Sequence, residues 1–220
     1  RMTDEEYRVL EKIKNSIPVC YLADHADFAL GIVTGNNKKF LSAEKTENSE
    51  MVLKGTDICK YHINPVKQYL RFEPEQFQQV APLEIYRAPE KLLYRFISNQ
   101  LVVAYDDRQM LSLNSCNIVI PKIEGMQIKY ILAILNSSVS QFVYQKEFHS
   151  IKVLRAHMEH IPIPRVGKAI QNEIIAMTEP LICGMGKEAA ETCQKRLDCR
   201  IMDLFRLSAE EQWIIRHALH

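Results

Sequence analysis

The spacing of apolar residues changes at Pro121, and this change constrains the fold more than any other feature of the sequence. Before Pro121, short apolar runs are separated by Gly, Asn, Pro and charged residues, which is typical of irregular strands and long surface loops. After it, apolar residues recur every three or four positions over residues 128–143, which predicts one long helix or two helices broken near Asn136. The sequence therefore predicts a mixed α/β (α+β) protein in which an irregular, curved β-sheet body carries packed helices.

Individual strands can be placed around this change. Residues 92–97 and 101–105 are apolar runs joined by a short polar stretch, which predicts a hairpin, and residues 116–120 predict a further strand. Beyond the helical region, residues 151–154 again have a strand-like pattern, and the rigid segment 161–164 follows them.

Helical patterns lie at both ends of the chain. The first helix is predicted over residues 3–16, with Thr3 in a capping position, and a C-terminal helical tail follows Arg165, with Ser208 capping its last helix. We therefore divide the chain into an N-terminal helix or linker (1–17), a body (18–165) and a helical C-terminal region (166–220). Because Arg1 stands ahead of Met2, we expect a fragment whose first helix leads from a missing upstream domain.

The charge distribution indicates the kind of partner, and the cysteine pattern indicates the cellular compartment. The net charge is only +1, but residues 31–165 hold 17 basic and 13 acidic side chains, so a basic centre lies between acidic ends. This distribution indicates a polyanion partner for the centre. Six cysteines without a CxxC pair predict a reducing cytoplasm, and no apolar run approaches the roughly 20 residues of a membrane span. We therefore expect no membrane contact.

The motifs that common catalytic sites require are missing. The GxG at residues 184–186 lies between helical stretches, whereas dinucleotide and methyl-donor sites place such a turn after a strand. No Asp-x-Lys or Glu-x-Lys occurs, although metal-dependent DNA cleavage commonly uses that spacing. His157 and His160 have the wrong spacing for a zinc hydrolase, and Cys59 with His62 is only half of a zinc site. We expect no catalytic residue and no metal site in this chain.

Several blocks of sequence do form a recognisable ordered set. They are residues 31–40 (GIVTGNNKKF), 53–58, 89–95, 113–115, 130–137 and 161–164, then Gln171, Ile174 and residues 204–208. Together, over residues 28–208, they resemble the TaqI-like C-terminal specificity domain, the target-recognition domain of adenine-specific DNA methyltransferases and of type II restriction enzymes fused to them. The helix ending in Leu135-Asn136-Ser137 and the later Pro-x-Pro are also shared with type I specificity subunits.

The resemblance implies a function in restriction-modification. Residues 18–165 would form a DNA target-recognition domain that binds double-stranded DNA and positions a methyltransferase domain, covalently linked or separate, for adenine methylation. S-adenosylmethionine would bind that missing domain, with or without a fused endonuclease, and this chain would hold no cofactor. The Asn-Pro-Pro-Tyr type motif of the catalytic partner is absent, since the nearest string is Asn64-Pro65-Val66. Two other functions stay open: half of a type I specificity subunit that docks a separate methyltransferase, and a protein-interaction domain that binds no DNA.

Candidate DNA-contacting residues fall into two groups of loops. Exposed amides can pair with adenine edges and cations with guanine or phosphate, so the first group combines both types. Its members are Asn36, Asn37, Lys38, Lys39, Lys54, Arg71 and Arg87. The second group brackets the end of the long helical region and consists of Lys146, Lys152 and Arg155. Arg95, in the hairpin, has two interpretations: it reaches a base, or it pairs with a buried carboxylate such as Asp106.

Overall fold

The chain folds into ten short strands and nine helices, and the computed structural model describes all of residues 1–220. The strands are β1 (Val19–Cys20), β2 (Ala26–Ala29), β3 (Leu41–Ser42), β4 (Ser49–Leu53), β5 (Tyr69–Arg71), β6 (Lys91–Arg95), β7 (Val103–Asp106), β8 (Leu111–Ser112), β9 (Cys116–Pro121) and β10 (Ile163–Pro164). The helices are α1 (Asp4–Asn15), α2 (Asn37–Phe40), α3 (Leu83–Tyr86), α4 (Ile128–Leu135), α5 (Ser138–Glu147), α6 (Arg155–Met158), α7 (Lys168–Cys183), α8 (Lys187–Leu204) and α9 (Ala209–Ala218). The predicted mixed fold with a helical C-terminal region is confirmed.

The central sheet has the strand order β2-β9-β6-β7, and every pair in it is antiparallel. Strand β6 pairs with β7 on one side and β9 on the other, with Leu92 opposite both Tyr105 and Val119. The predicted hairpin and third strand are therefore confirmed. The hairpin connection is longer than predicted, because β6 ends at Arg95 and β7 begins only at Val103.

A second sheet covers one face of the central sheet. Its order is β3-β5-β4-β8, in which β4 and β8 run parallel and the other pairs are antiparallel. A core of 16 buried residues includes Leu53 and Leu70 of this sheet together with Leu93 and Ile118 of the central sheet. Since neighbouring strand residues point to opposite faces, Leu92 and Tyr94 instead join the core on the helical side. The central sheet is thus buried on both faces.

The helices form the third layer, over a core of 35 buried residues. The predicted helical region is two helices, because Asn136 ends α4 and Ser137 caps α5 by accepting from Ser140 N. The Asn136 amide bonds Val103 of β7 twice, accepting from its N–H (3.0 Å) and donating to its carbonyl (2.8 Å). The helix break therefore attaches the helical layer to the sheet.

The terminal helices pack on the same core as α4. Thr3 and Ser208 each make the capping box expected of them, at the starts of α1 and α9. Ile13 of α1 and Ile215 of α9 are both fully buried in the larger core. The division at residues 17 and 165 stays a prediction. None of the nine helices has both the length and the apolar character that crossing a membrane requires.

The predicted strand at residues 151–154 is wrong. This segment makes a single bridge, Ile97 to Lys152, flanked by main-chain bonds from Ser98 N to Ile151 O (2.8 Å) and from Val153 N to Phe96 O (2.7 Å). Its apolar residues do not alternate in burial, because Ile151 is 65% exposed. The Ser150 hydroxyl also bonds both the N–H and the carbonyl of Lys152, which bends the backbone.

A buried ion pair joins β6 to β7. Lys91 Nζ lies 2.5 Å from Asp106 Oδ2, and neither side chain is exposed. Lys91 also donates to the carbonyls of Tyr86 and Met110, while Asp106 accepts from Met110 N. Burial lowers the pKa of Lys91, an effect that the Asp106 carboxylate opposes. The partner of Asp106 is therefore Lys91, and the predicted pairing with Arg95 is wrong.

Replacing Lys91 should destabilise the fold strongly. Lys91→Met leaves the Asp106 carboxylate buried without its cation, which is expected to lower the free energy of unfolding by about 3–5 kcal/mol. The control is Lys122→Met, which breaks an exposed pair with Asp27 and should cost less than about 1 kcal/mol. Urea denaturation followed by circular dichroism measures both, and equal small losses would contradict this account of the pair.

Candidate nucleic-acid interface

The loop of residues 31–39 is the first element of the candidate interface, and backbone contacts hold its start. Gly31 N donates to Asn117 Oδ1 at 2.8 Å, and Ile32 bridges Leu113 in parallel. A Cβ atom at Gly31 would lie 2.0 Å from the Leu113 carbonyl oxygen, so only glycine allows this close approach. The loop therefore leaves the central sheet in a fixed direction.

A neighbouring segment, residues 76–79, lies along this loop. Val33 and Gln79 exchange two main-chain hydrogen bonds, of 2.9 and 3.0 Å, and Lys39 Nζ donates to Gln76 Oε1 at 2.6 Å. Asn36 caps the short helix α2 by accepting from Lys39 N. We call residues 31–39 and 76–79 together the amide face, since its exposed side chains are mostly amides. They are Asn36, Asn37, Gln76, Gln78 and Gln79.

The second element is the segment of residues 150–155, which we call the basic segment. Its main chain is bonded to residues 96–98, just beyond the end of β6. The Arg155 guanidinium lies over the Phe28 ring at 4.9 Å, so the segment reaches the end of β2. Because β2 continues directly into the loop at residue 31, the amide face and the basic segment are both attached to the same end of the central sheet.

Several of the predicted contact residues are engaged within the protein. Lys54 pairs with Asp57, Arg71 with Glu73, Arg87 with Glu50, and Lys146 with Glu6. Lys146 is 14% exposed and joins α5 to α1, so its ammonium group is not free for a phosphate. Arg95 donates to the carbonyls of Gly55 (2.9 Å) and Ile58 (2.5 Å) and thereby holds β6 to the turn that follows β4.

Other predicted cations are available to a ligand. Lys38 and Lys152 are exposed and make no ion pair. Arg155 is 58% exposed and pairs only with Glu159, at 3.2 Å. Lys38 lies on the amide face, and Lys152 and Arg155 lie on the basic segment. With Lys39, which donates to Gln76 on the amide face, the structure thus attaches four of the predicted cations to one end of the sheet, and whether each contacts DNA stays a prediction.

Sequence reasoning missed three glutamines and one asparagine of this surface. Gln76, Gln78 and Gln79 lie beside the loop only because Val33 pairs with Gln79. Asn114 is exposed in the turn that holds Gly31 in place. The run Gln76-Phe77-Gln78-Gln79 was visible in the sequence, and amides at that density are a usable signal for base contacts.

Cys59, His62 and Gly184, the residues considered for half of a zinc site and for a methyl-donor turn, make contacts within the fold. Among residues 1–220, no group of three His, Cys, Asp or Glu side chains has metal-binding geometry. His62 Nδ1 lies 2.8 Å from the Ile182 carbonyl oxygen, and Cys59 Sγ donates to the carbonyl of His62. Gly184, with φ of +98°, ends α7 against the His62 ring, so the predicted helix interruption at residues 184–186 is confirmed. These residues do not fit a methyl-donor site, which needs such a turn after a strand.

Comparison with known families gives one match. The sequence profile of the TaqI-like C-terminal specificity domain matches residues 50–163, just over half of the chain. This range contains both central strands of the main sheet, the helices α4 and α5, and the basic segment. No curated protein matches the chain in sequence at a significant level.

One solved structure with a similar fold is that of a restriction-modification enzyme. The Type IIL restriction-modification enzyme MmeI, solved in complex with DNA, is 11% identical with a TM-score of 0.59, and the match covers 86% of this chain and 34% of the MmeI chain. The HsdS subunit from Thermoanaerobacter tengcongensis is 15% identical with a TM-score of 0.47, over 92% of this chain and 51% of that one. The chain therefore spans about a third of MmeI and about half of HsdS.

The close approach at Gly31 gives a prediction about the interface. Gly31→Ala should lower the free energy of unfolding by about 1–3 kcal/mol, because the new methyl group collides with the main chain at Leu113. Gly167→Ala is the control, since a Cβ there meets no atom within 4 Å and the loss of a glycine cap costs about 1 kcal/mol or less. Urea denaturation compares the two, and a smaller loss for Gly31→Ala than for Gly167→Ala would contradict the tight packing of the loop.

Proposed function

This chain belongs to the family of TaqI-like C-terminal specificity domains, DNA-recognition domains of restriction-modification enzymes, and we propose that it reads duplex DNA with the amide face and the basic segment. The observation that carries the proposal is the attachment of both elements to one end of a sheet that is buried on both faces. A rigid sheet presents their amides and cations in a constant arrangement, which a sequence-reading surface requires.

The two elements have different roles in this proposal. Lys38, Lys152 and Arg155 contact phosphates, which gives salt-dependent affinity and sets the register of the protein on the duplex. The amides of the amide face, which offer a donor and an acceptor each, contact base edges in the major groove. The cations that are already paired, Lys54, Arg71 and Arg87 among them, hold the surrounding loops.

The catalytic step belongs to another domain in this proposal. A methyltransferase domain, linked or separate, holds S-adenosylmethionine and methylates an adenine that this chain positions. The turn at residues 184–186 supports that division, since it connects two helices and a methyl-donor site needs such a turn after a strand. A cytoplasmic location is also proposed, and six free cysteines support it. As half of a type I specificity subunit, the chain would read DNA with the same surface. No contact in this structure favours that role over the role of a domain fused to a methyltransferase.

Binding should be salt-dependent and should weaken when the unpaired lysines are removed. We expect the chain to bind short duplexes of random sequence at low salt, as fluorescence anisotropy measures. Lys38→Ala and Lys152→Ala should each lower the affinity and reduce the slope of log K against log salt by about 1, because each removes one phosphate contact. Both side chains are exposed and unpaired, so the fold should tolerate the changes.

The matched control is Lys187→Ala. Lys187 is also exposed and without an ion pair, but it lies in the first turn of α8 in the helical layer. Its removal should leave both affinity and salt slope unchanged. No binding at low salt would overturn the proposed function, and an equal effect of all three substitutions would overturn the location of the interface.

A further inference from the structure

A small aromatic cavity lies between the end of β2 and the basic segment. It has a volume of about 190 Å³, and seven of its nine lining residues are hydrophobic. Phe28, Tyr94 and Phe96 supply rings, Leu30 and Leu154 form part of its rim, and Arg155 also lines it. We call it the strand-end cavity.

Two polar side chains that line this cavity have a group without a hydrogen-bond partner in the chain. Tyr94 and Asn117 lie directly opposite each other on β6 and β9, so their side chains share one face of the sheet. Asn117 Oδ1 accepts from Gly31 N, which fixes the orientation of the amide and leaves its Nδ2 donor unpaired. The Tyr94 hydroxyl makes no hydrogen bond either, although Tyr94 is 3% exposed and Asn117 is 1% exposed.

Neither atom is among the fully buried side-chain atoms that lack a partner, so both reach the open interior of the cavity, where a ligand can bond them. Burial raises the pKa of Tyr94 to about 12, so its hydroxyl remains a donor at neutral pH. The cavity therefore combines aromatic walls with two hydrogen-bonding groups at its base. Its rim carries Arg155, and the exposed Lys152 lies on the same segment.

We propose that the strand-end cavity binds a single nucleobase displaced from the DNA stack. The rings contact the face of the base, while Asn117 Nδ2 and the Tyr94 hydroxyl bond polar atoms at its edge. Arg155 and Lys152 contact the phosphates that flank the displaced nucleotide. This proposal rests on the proposed DNA-reading function and adds a binding mode to it.

The chemistry of the cavity favours a displaced base over two other occupants. A base edge in an intact duplex cannot reach side chains as deeply buried as Asn117 and Tyr94, whereas a displaced base enters whole. An apolar side chain from a neighbouring domain would fill the aromatic part but leave both polar groups unpaired. A nucleobase supplies an apolar face and hydrogen-bonding edge atoms together, and its phosphates match the cationic rim.

The test compares two duplexes of the same random sequence, one fully paired and one with a single unpaired thymidine at its centre. Displacing an unpaired base costs little, so the wild-type chain should bind the bulged duplex about tenfold more tightly in fluorescence anisotropy. Phe28→Leu removes one ring and Tyr94→Phe removes one hydroxyl. Each should bring the ratio of the two affinities towards one while leaving binding of the paired duplex in place.

Two further variants serve as a control and as a substitute for a cavity variant that does not fold. Tyr7→Phe removes a tyrosine hydroxyl on the exposed face of α1 and should keep the tenfold ratio. If circular dichroism shows that a cavity variant is unfolded, Leu154→Ala replaces it in the comparison. Leu154 is 43% exposed at the rim, so the fold should tolerate this substitution, which should lower the ratio of the two affinities. Equal wild-type binding of both duplexes, or a ratio that survives in the cavity variants, overturns the cavity proposal alone. No binding of either duplex overturns the proposed function itself.

Discussion

Strands β6 and β9 pair at the centre of the molecule with both of their faces covered. Residues such as Leu92 and Val119 face the helices, while Leu93 and Ile118 face the second sheet. Burial on both faces leaves only the ends of these strands and the loops beyond them for polar function. Even the cation within this region, Lys91, is neutralised by Asp106 and surrounded by carbonyl acceptors. The hydrophobic core thus determines where recognition can take place.

The end of the sheet near Asn117 carries the groups that remain available. Asn117 stabilises the start of the loop at Gly31 through its oxygen and lines the strand-end cavity with its nitrogen. One side chain therefore links the amide face to the cavity. The basic segment is bonded to the chain just beyond β6, so it faces the same end. Contacts with DNA at this end would be made by side chains whose backbones are held by the core, and little conformational entropy would be lost on binding.

Much of the fold could be predicted because it depends on local patterns. The helical spacing over residues 128–143, the break near Asn136 and the caps at Thr3 and Ser208 all arise from neighbouring residues. The site could be predicted only in part. The ion pair between Lys146 and Glu6 of α1 could not be predicted, because it depends on how distant helices pack. The unpaired Nδ2 of Asn117 could not be predicted either, because it depends on the path of the chain at Gly31. Residues 151–154 failed as a strand because Ser150 bends their backbone.

The central claim is that one end of the buried sheet contacts DNA, and amide chemical shifts test it most directly. Two-dimensional NMR of the isotope-labelled chain, recorded while a short random-sequence duplex is added at low salt, reports on each backbone N–H. The account predicts that the largest shifts fall on residues 35–39, 76–79 and 150–155, with small changes in α1, α8 and α9. Shifts concentrated in those helices, with the amide face and basic segment unchanged, would contradict it.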